Sequence, residues 1–160
     1  MSKKINAFVL TISDTRTLEN DASGDTLAEL LLSIDAGVAG KQIVSDDLDD
    51  IRNTLYVLTE REDINLIVTT GGTGFAPRDN TPEATRSVID REAPGIAEAM
   101  RRETSVTTPM AMLSRGIVGT RKGTLIINFP GSPKGVTECF EIIRPVLAHA
   151  VNLMGGHTTH

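Results

Sequence analysis

The sequence predicts an α/β domain: a mostly parallel sheet with helices on both faces and one antiparallel hairpin. Three observations carry that prediction. Over the first 70 residues, β-rich apolar runs alternate with apolar stripes at helical spacing, the order of parallel strands joined by helical crossovers. The strongest of these runs, 64–70, is rich in β-branched residues and stops on glycines. The chain is 160 residues long and 39% apolar but only 3% aromatic, enough for one aliphatic core without disulfide or metal staples. One domain is expected over 1–154, with a frayed tail at 155–160.

The first strand is expected at 5–12, followed by a polar stretch, 13–23, too long for a tight turn and therefore a candidate functional loop. Leu27, Leu30, Leu31 and Ile34 sit at i, i+3, i+4 and i+7, a helical stripe with Gly37 as its stop. A weaker strand at 38–44 leads to Ser45, Asp46 and Asp47, N-cap candidates for a helix whose apolar face is Leu48, Ile51, Leu55 and Leu58. After the strand 64–70 and its glycines, Thr81 reads as an N-cap, with Pro82 and Glu83 in the first turn of a helix running to about Arg91. Pro94 and Gly95 restart a helix with Ile96 and Met100 inward, and a short apolar segment follows at 110–113. The runs 116–120 and 124–129 flank Arg121, Lys122 and Gly123 as a hairpin. Ser132 caps the last helix, with Pro133 at its first position, Phe140, Ile143 and Leu147 along its face, and Pro145 expected to kink it.

Composition narrows the function. With 16 basic and 21 acidic residues the net charge is −5, which disfavours sequence-independent binding of nucleic acid but leaves room for a small anion at a local cluster. The one cysteine, Cys139, excludes an intrachain disulfide and a cysteine-based zinc site, and its helical position among apolar residues reads as inert core. The apolar run at 5–12 contains Asn6 and Thr11 and is too short for a signal peptide or a membrane span, so a soluble cytoplasmic protein is expected. His149 reads as helix surface or interface, and His157 and His160 belong to the tail.

Chemistry is expected at the carboxyl ends of the parallel strands, where open α/β sheets bind ligands. Gly71, Gly72 and Gly74 follow the third strand, where glycines let backbone N–H groups approach a phosphate; a tight turn that needs positive φ is the alternative. The loop is neither a P-loop nor a dinucleotide fingerprint. Ser13 and Asp14, and the corner Pro130, Gly131, Ser132, Pro133 and Lys134, belong to the same edge if the strands are parallel. Lys134 and Arg115 also fit ordinary surface charges. Asp14, Asp46, Asp47 and Asp79 are carboxylates able to hold Mg²⁺ at a phosphate site or to cap helices.

Five blocks together carry a resemblance: Thr-Ile-Ser-Asp at 11–14, Thr-Thr-Gly-Gly-Thr-Gly at 69–74, Pro-Arg-Asp-Asn-Thr-Pro-Glu-Ala-Thr at 77–85, Leu-Ser-Arg at 113–115 and Asn-Phe-Pro-Gly-Ser-Pro-Lys at 128–134. Over nearly the whole chain they resemble the MoaB/Mog molybdopterin-binding family of molybdenum cofactor biosynthesis. The resemblance implies a three-layer α/β/α fold, usually in trimers or hexamers, and a Mg²⁺-assisted transfer of AMP from ATP to the terminal phosphate of molybdopterin. It implies catalytic, metal-holding roles for Asp79 and Asp46, with Asp47 the adjacent alternative. It implies substrate contacts from Ser13, Asp14, Gly71, Gly72, Thr73, Gly74, Arg78, Ser114, Arg115, Pro130, Gly131, Ser132 and Lys134. Other proteins of the pathway are implied partners. A non-catalytic molybdopterin carrier using the same pocket is the alternative within the family. Outside it stands a flavodoxin-like flavin binder, against which the shortage of aromatic residues counts.

Overall fold

The structure is a computed structural model that describes residues 3–156. Its elements are β1 (Asn6–Ile12), α1 (Ala22–Ser33), β2 (Gly37–Val44), α2 (Leu48–Thr59), β3 (Leu66–Thr70), α3 (Thr81–Val88), β4 (Arg91–Glu92), α4 (Pro94–Ser105), a 3-10 helix (Pro109–Leu113), β5 (Val118–Arg121), β6 (Thr124–Phe129) and α5 (Pro133–Met154). They form one six-stranded sheet in the order β2-β1-β3-β6-β5-β4. β2, β1, β3 and β6 run parallel, and β5 and β4 add antiparallel pairs at one side. Thr11 stands opposite Thr70, and Thr70 opposite Phe129, so the three central strands end level with one another.

Alternation along the strands builds the two outer layers. Ala7 and Val9, Leu66 and Val68, and Leu125 and Ile127 share a core with Leu27 and Leu31 of α1, Met100 of α4 and Phe140 of α5. Phe8, Leu10, Ile67 and Ile126 face the other way, onto Ile51, Leu55 and Leu58 of α2 and Ala84 and Val88 of α3. The expected three layers are therefore present, and the core is aliphatic apart from a few Phe rings, of which Phe129 and Phe140 lie 6.3 Å apart. The hairpin turns on Lys122 (φ 48°) and Gly123 (φ 79°), the two positive-φ positions of a two-residue loop that matches strand twist.

Three local expectations need correction. α1 stops at Ser33, and Asp35 (φ 60°), not Gly37, takes the left-handed position; Gly37 opens β2 opposite Asn6. α3 ends at Val88 rather than near Arg91, because Arg91 and Glu92 pair with Thr120 and Gly119 as the edge strand β4. Asn80, not Thr81, holds the N-cap position of α3. Pro145 leaves α5 one continuous helix, held by Phe140, Ile143, Leu147 and Val151 buried against the sheet. Gly155 and Gly156 close α5 with backbone bonds, while His157 and His160 lie outside the described residues. Among those residues no helix is long and apolar enough to cross a membrane.

Candidate functional site

Four loops leave the carboxyl ends of β1, β2, β3 and β6 and meet at one edge. Ser13 N–H donates to Val44 O at 2.9 Å, tying the first two together. The third is seated by its glycines. A Cβ on Gly71 (φ 101°) would lie 2.4 Å from the Ile12 carbonyl oxygen, so no other residue approaches β1 this closely. A Cβ on Gly131 would lie 3.5 Å from Gly71 Cα, so the glycine turn and the 130–134 corner are in contact. The Thr70 hydroxyl donates to Pro130 O at 2.7 Å across the same seam. The Thr81 hydroxyl, freed from capping, donates to Gly71 O at 2.9 Å, and its N–H donates to Gly72 O at 3.1 Å. The N–H groups of Gly72, Thr73, Gly74, Gly131 and Ser132 donate to no acceptor among the described residues, which leaves an array of amides for an anion.

On one side of the glycine loop lies an acidic group. Asp14 and Asp46 exchange hydrogen bonds: Asp14 N–H to Asp46 Oδ2 at 2.9 Å, and Asp46 N–H to Asp14 Oδ1 at 3.0 Å. Arg78 grips Asp14 with two N–H groups, Nε at 2.7 Å and Nη2 at 3.0 Å. That guanidinium, helped by the Asp46 amide, holds the Asp14 carboxyl down at about 2. Burial, together with the like charges of Asp14 and Asp79, pushes the Asp46 carboxyl above the usual carboxylate range. Asp79 closes a turn, its Oδ2 accepting from Ala76 N–H at 3.0 Å. Asp47, the adjacent alternative to Asp46, caps α2 instead, accepting from Asp49 and Asp50 N–H groups.

On the other side is a cleft of about 270 Å³. Thr73, Gly74, Ser114, Pro130 and Ser132, all expected site residues, line it alongside apolar residues of α4 and the 3-10 helix. Arg115 does not reach into it. Its guanidinium donates to Gly74 O and Asp79 O, each at 2.8 Å, and pairs with Glu83, bracing the turn that separates cleft from carboxylates. Lys134 stands exposed on the first turn of α5, outside the lining.

Several supporting residues escape a reading of local pattern. Asn128 is buried, accepts from Ile117 N–H and donates to the hydroxyls of Thr69 and Thr85, fixing the cleft floor to α3. Arg16 bonds Ser23 Oγ and the Gly131 carbonyl, linking the first loop to the last. Arg101 donates to Ser114 O and Gly116 O, and the Asn80 amide donates to Asp46 O. Each contact joins residues on different elements or loops, and a polar side chain alone carries no sign of such a partner. Cys139, read as inert core, is buried as expected but also lines the cleft, and burial pushes its thiol up to about 11.

Residues 8–149 match the family described as "Probable molybdopterin binding domain". The chain is 38% identical over 157 residues to molybdopterin adenylyltransferase of Helicobacter pylori strain J99, covering 96% of this chain and 89% of that protein. It is 47% identical over 96% of its length to the molybdenum cofactor synthesis protein cinnamon of Drosophila melanogaster, of which it spans only 26%. The crystal structure of the molybdopterin biosynthesis enzyme MoaB from Thermus thermophilus shares the fold at a TM-score of 0.87 and 45% identity, over 95% of this chain and 97% of that one. On these matches the chain belongs to the molybdopterin-binding domain family of molybdenum cofactor biosynthesis.

Proposed function

We propose that this chain transfers AMP from ATP to the terminal phosphate of molybdopterin with the help of Mg²⁺. The observation that carries the reading is the position of the 71–74 turn between two opposite environments. Gly74 lines the apolar cleft, and a Cβ on it would sit 2.9 Å from Asp79 Oδ2 on the acidic side. In the proposed step an oxygen of the pterin's terminal phosphate bonds to the α-phosphorus of ATP. The bond to the bridging oxygen breaks, and pyrophosphate leaves with the electron pair. Two polyanions must meet, so positioning and neutralisation dominate. The unpaired amides of the glycine turn and the 130–134 corner hold phosphate oxygens, and the cleft takes the pterin.

The carboxylates suit Mg²⁺. Asp46 and Asp79 each keep an Oδ1 that accepts no hydrogen bond among the described residues, and their mutual repulsion with Asp14 is what a cation relieves. Two carboxylates are a common protein share for Mg²⁺, whose other positions go to waters and substrate phosphates. Bound there, Mg²⁺ would screen the charge on the departing pyrophosphate. The reading includes self-association: Val106, Met110 and Met112 are exposed, and Met110 borders the cleft, an apolar surface that a trimer would cover.

The test is incubation with molybdopterin, ATP and Mg²⁺, followed by assay for AMP-modified pterin and pyrophosphate, with light scattering for assembly. Product formation supports the reading. Tight pterin binding with neither product assigns the chain to the carrier alternative instead.

A further inference from the structure

The proposed transfer leaves most of one wall of the cleft, all but Ser132, without a role. That wall is the start of α5, where Ser132, Gly135, Glu138 and Cys139 face inward at helical spacing. Glu138 is the one carboxylate among lining residues that include Ala97, Met100 and Leu113. Its side chain is 30% exposed and accepts no hydrogen bond among the described residues. Its one cation is at the outer limit of an ion pair: Lys134 Nζ lies 3.9 Å away on a side chain that is 79% exposed. Arg101 also lines the cleft, but it already donates to the Ser114 and Gly116 carbonyls. A carboxylate facing apolar walls with so weak a partner lacks hydrogen bonds that a ligand can supply.

The cleft, about 270 Å³, is at the small end of ligand pockets. Resting on the pterin reading above, the ligand's pyrimidine edge carries two adjacent donors, the 2-amino group and N3–H. Two parallel N–H groups are the complement of a carboxylate. We propose that Glu138 is the specificity-determining residue for the pterin ring, accepting the 2-amino and N3–H donors on its two oxygens. The ring lies in the cleft with its pyrimidine edge toward α5, and its phosphate tail runs past Ser132 to the glycine turn. The adjacent Cys139 thiol stays protonated, held up first by burial and then by the Glu138 charge.

The test uses free pterin and lumazine, in which a 2-oxo group replaces the 2-amino group, titrated by fluorescence against the wild type and Glu138→Gln. The wild type is expected to prefer pterin. Glu138→Gln, of equal size but with one acceptor exchanged for a donor, is expected to lose about ten- to a hundredfold in pterin affinity, since hydrogen bonds to charged groups are worth about 1.5–3 kcal/mol. Lumazine affinity should be held or raised. In the transfer assay the variant's KM for molybdopterin should rise with kcat unchanged. Unaltered pterin affinity and pterin-to-lumazine ratio in a variant that still transfers AMP overturn the role of Glu138 and leave the transferase reading standing. A wild type that binds neither ring overturns the pterin reading and the inference with it.

Discussion

Gly71→Ala, set beside Gly123→Ala, separates backbone strain from close approach. Both glycines have positive φ, 101° and 79°. Gly123 has no neighbour within 4 Å of an added Cβ, so its substitution should cost only the left-handed strain, about 1 kcal/mol. At Gly71 the same Cβ meets the Ile12 carbonyl oxygen at 2.4 Å. That atom is backbone at the end of a central strand and cannot rotate away. The turn must shift instead, at the roughly 1–3 kcal/mol typical of overpacking, for a total of about 2–5 kcal/mol. At this chain length each kcal/mol lowers Tm by about 2–4 °C, giving a fall of about 3 °C for Gly123→Ala and about 10 °C for Gly71→Ala by calorimetry. Function should divide in the same way. Gly131 lies against Gly71, so the displaced turn carries the 130–134 corner with it, and AMP transfer should collapse in Gly71→Ala. Gly123 precedes β6 at the opposite end of the sheet, and its variant should keep full activity. Equal Tm losses in the two variants, or full transfer by Gly71→Ala, would refute the argument that close approach selects glycine there.

Three further outcomes are expected. Asp79→Asn should keep pterin affinity while AMP transfer in a coupled pyrophosphate assay falls about a hundredfold or more, the scale of losing one electrostatic element of a phosphoryl-transfer site; a retained rate removes Asp79 from the mechanism. Asn128→Ala strands the Ile117 N–H in a buried setting and removes two hydroxyl contacts, and should cost about 3 kcal/mol in urea unfolding, against under 1 kcal/mol if water replaces the amide. Cys139 should resist iodoacetamide at pH 8 in the folded protein and react once unfolded. Its thiol is raised to about 11, so the unfolded chain ionises first, and stability should fall as pH climbs from the ordinary thiol value toward 11, a loss absent from Cys139→Ala.

The parallel half of the fold was legible because its signals are local. Leu27 and Leu31 pack beneath the sheet as their spacing requires, and the 64–70 run supplies the central strand β3. What the sequence hid depends on partners. Arg91 and Glu92 are exposed and are a strand only because β5 offers them a ladder. Asp46 and Asp47 are identical neighbours, and only a contact spanning 32 residues turns one toward Asp14 while the other caps α2. Thr81 carried a sound capping signal, but it stands one residue inside α3, where its hydroxyl donates to the Gly71 carbonyl. Glu138 sits on a helix whose apolar stripe was plain, yet nothing in that stripe says that a cleft opens against its first turns.

The arginines show why the edge works through its backbone. Arg78 is closed on Asp14, and Arg115 is closed on Gly74 O, Asp79 O and Glu83. Nε and Nη2 of Arg78 and all three nitrogens of Arg115 are engaged, so each guanidinium meets a substrate only with its remaining N–H groups or by exchanging a partner. In the proposed reaction, phosphate capture falls first to the amides of the 72–74 turn and of Gly131 and Ser132, which donate to no acceptor among the described residues. The same pairing sets the charge of the acidic side. Arg78 pairs with Asp14, leaving Asp46 and Asp79 as two carboxylates with no ion pair among the described residues, the charge that a single divalent cation would neutralise. On the proposed reading, a chain with net charge −5 receives two polyanions in this way: fixed N–H dipoles would hold the phosphates, and the cation that accompanies the nucleotide would satisfy the carboxylates.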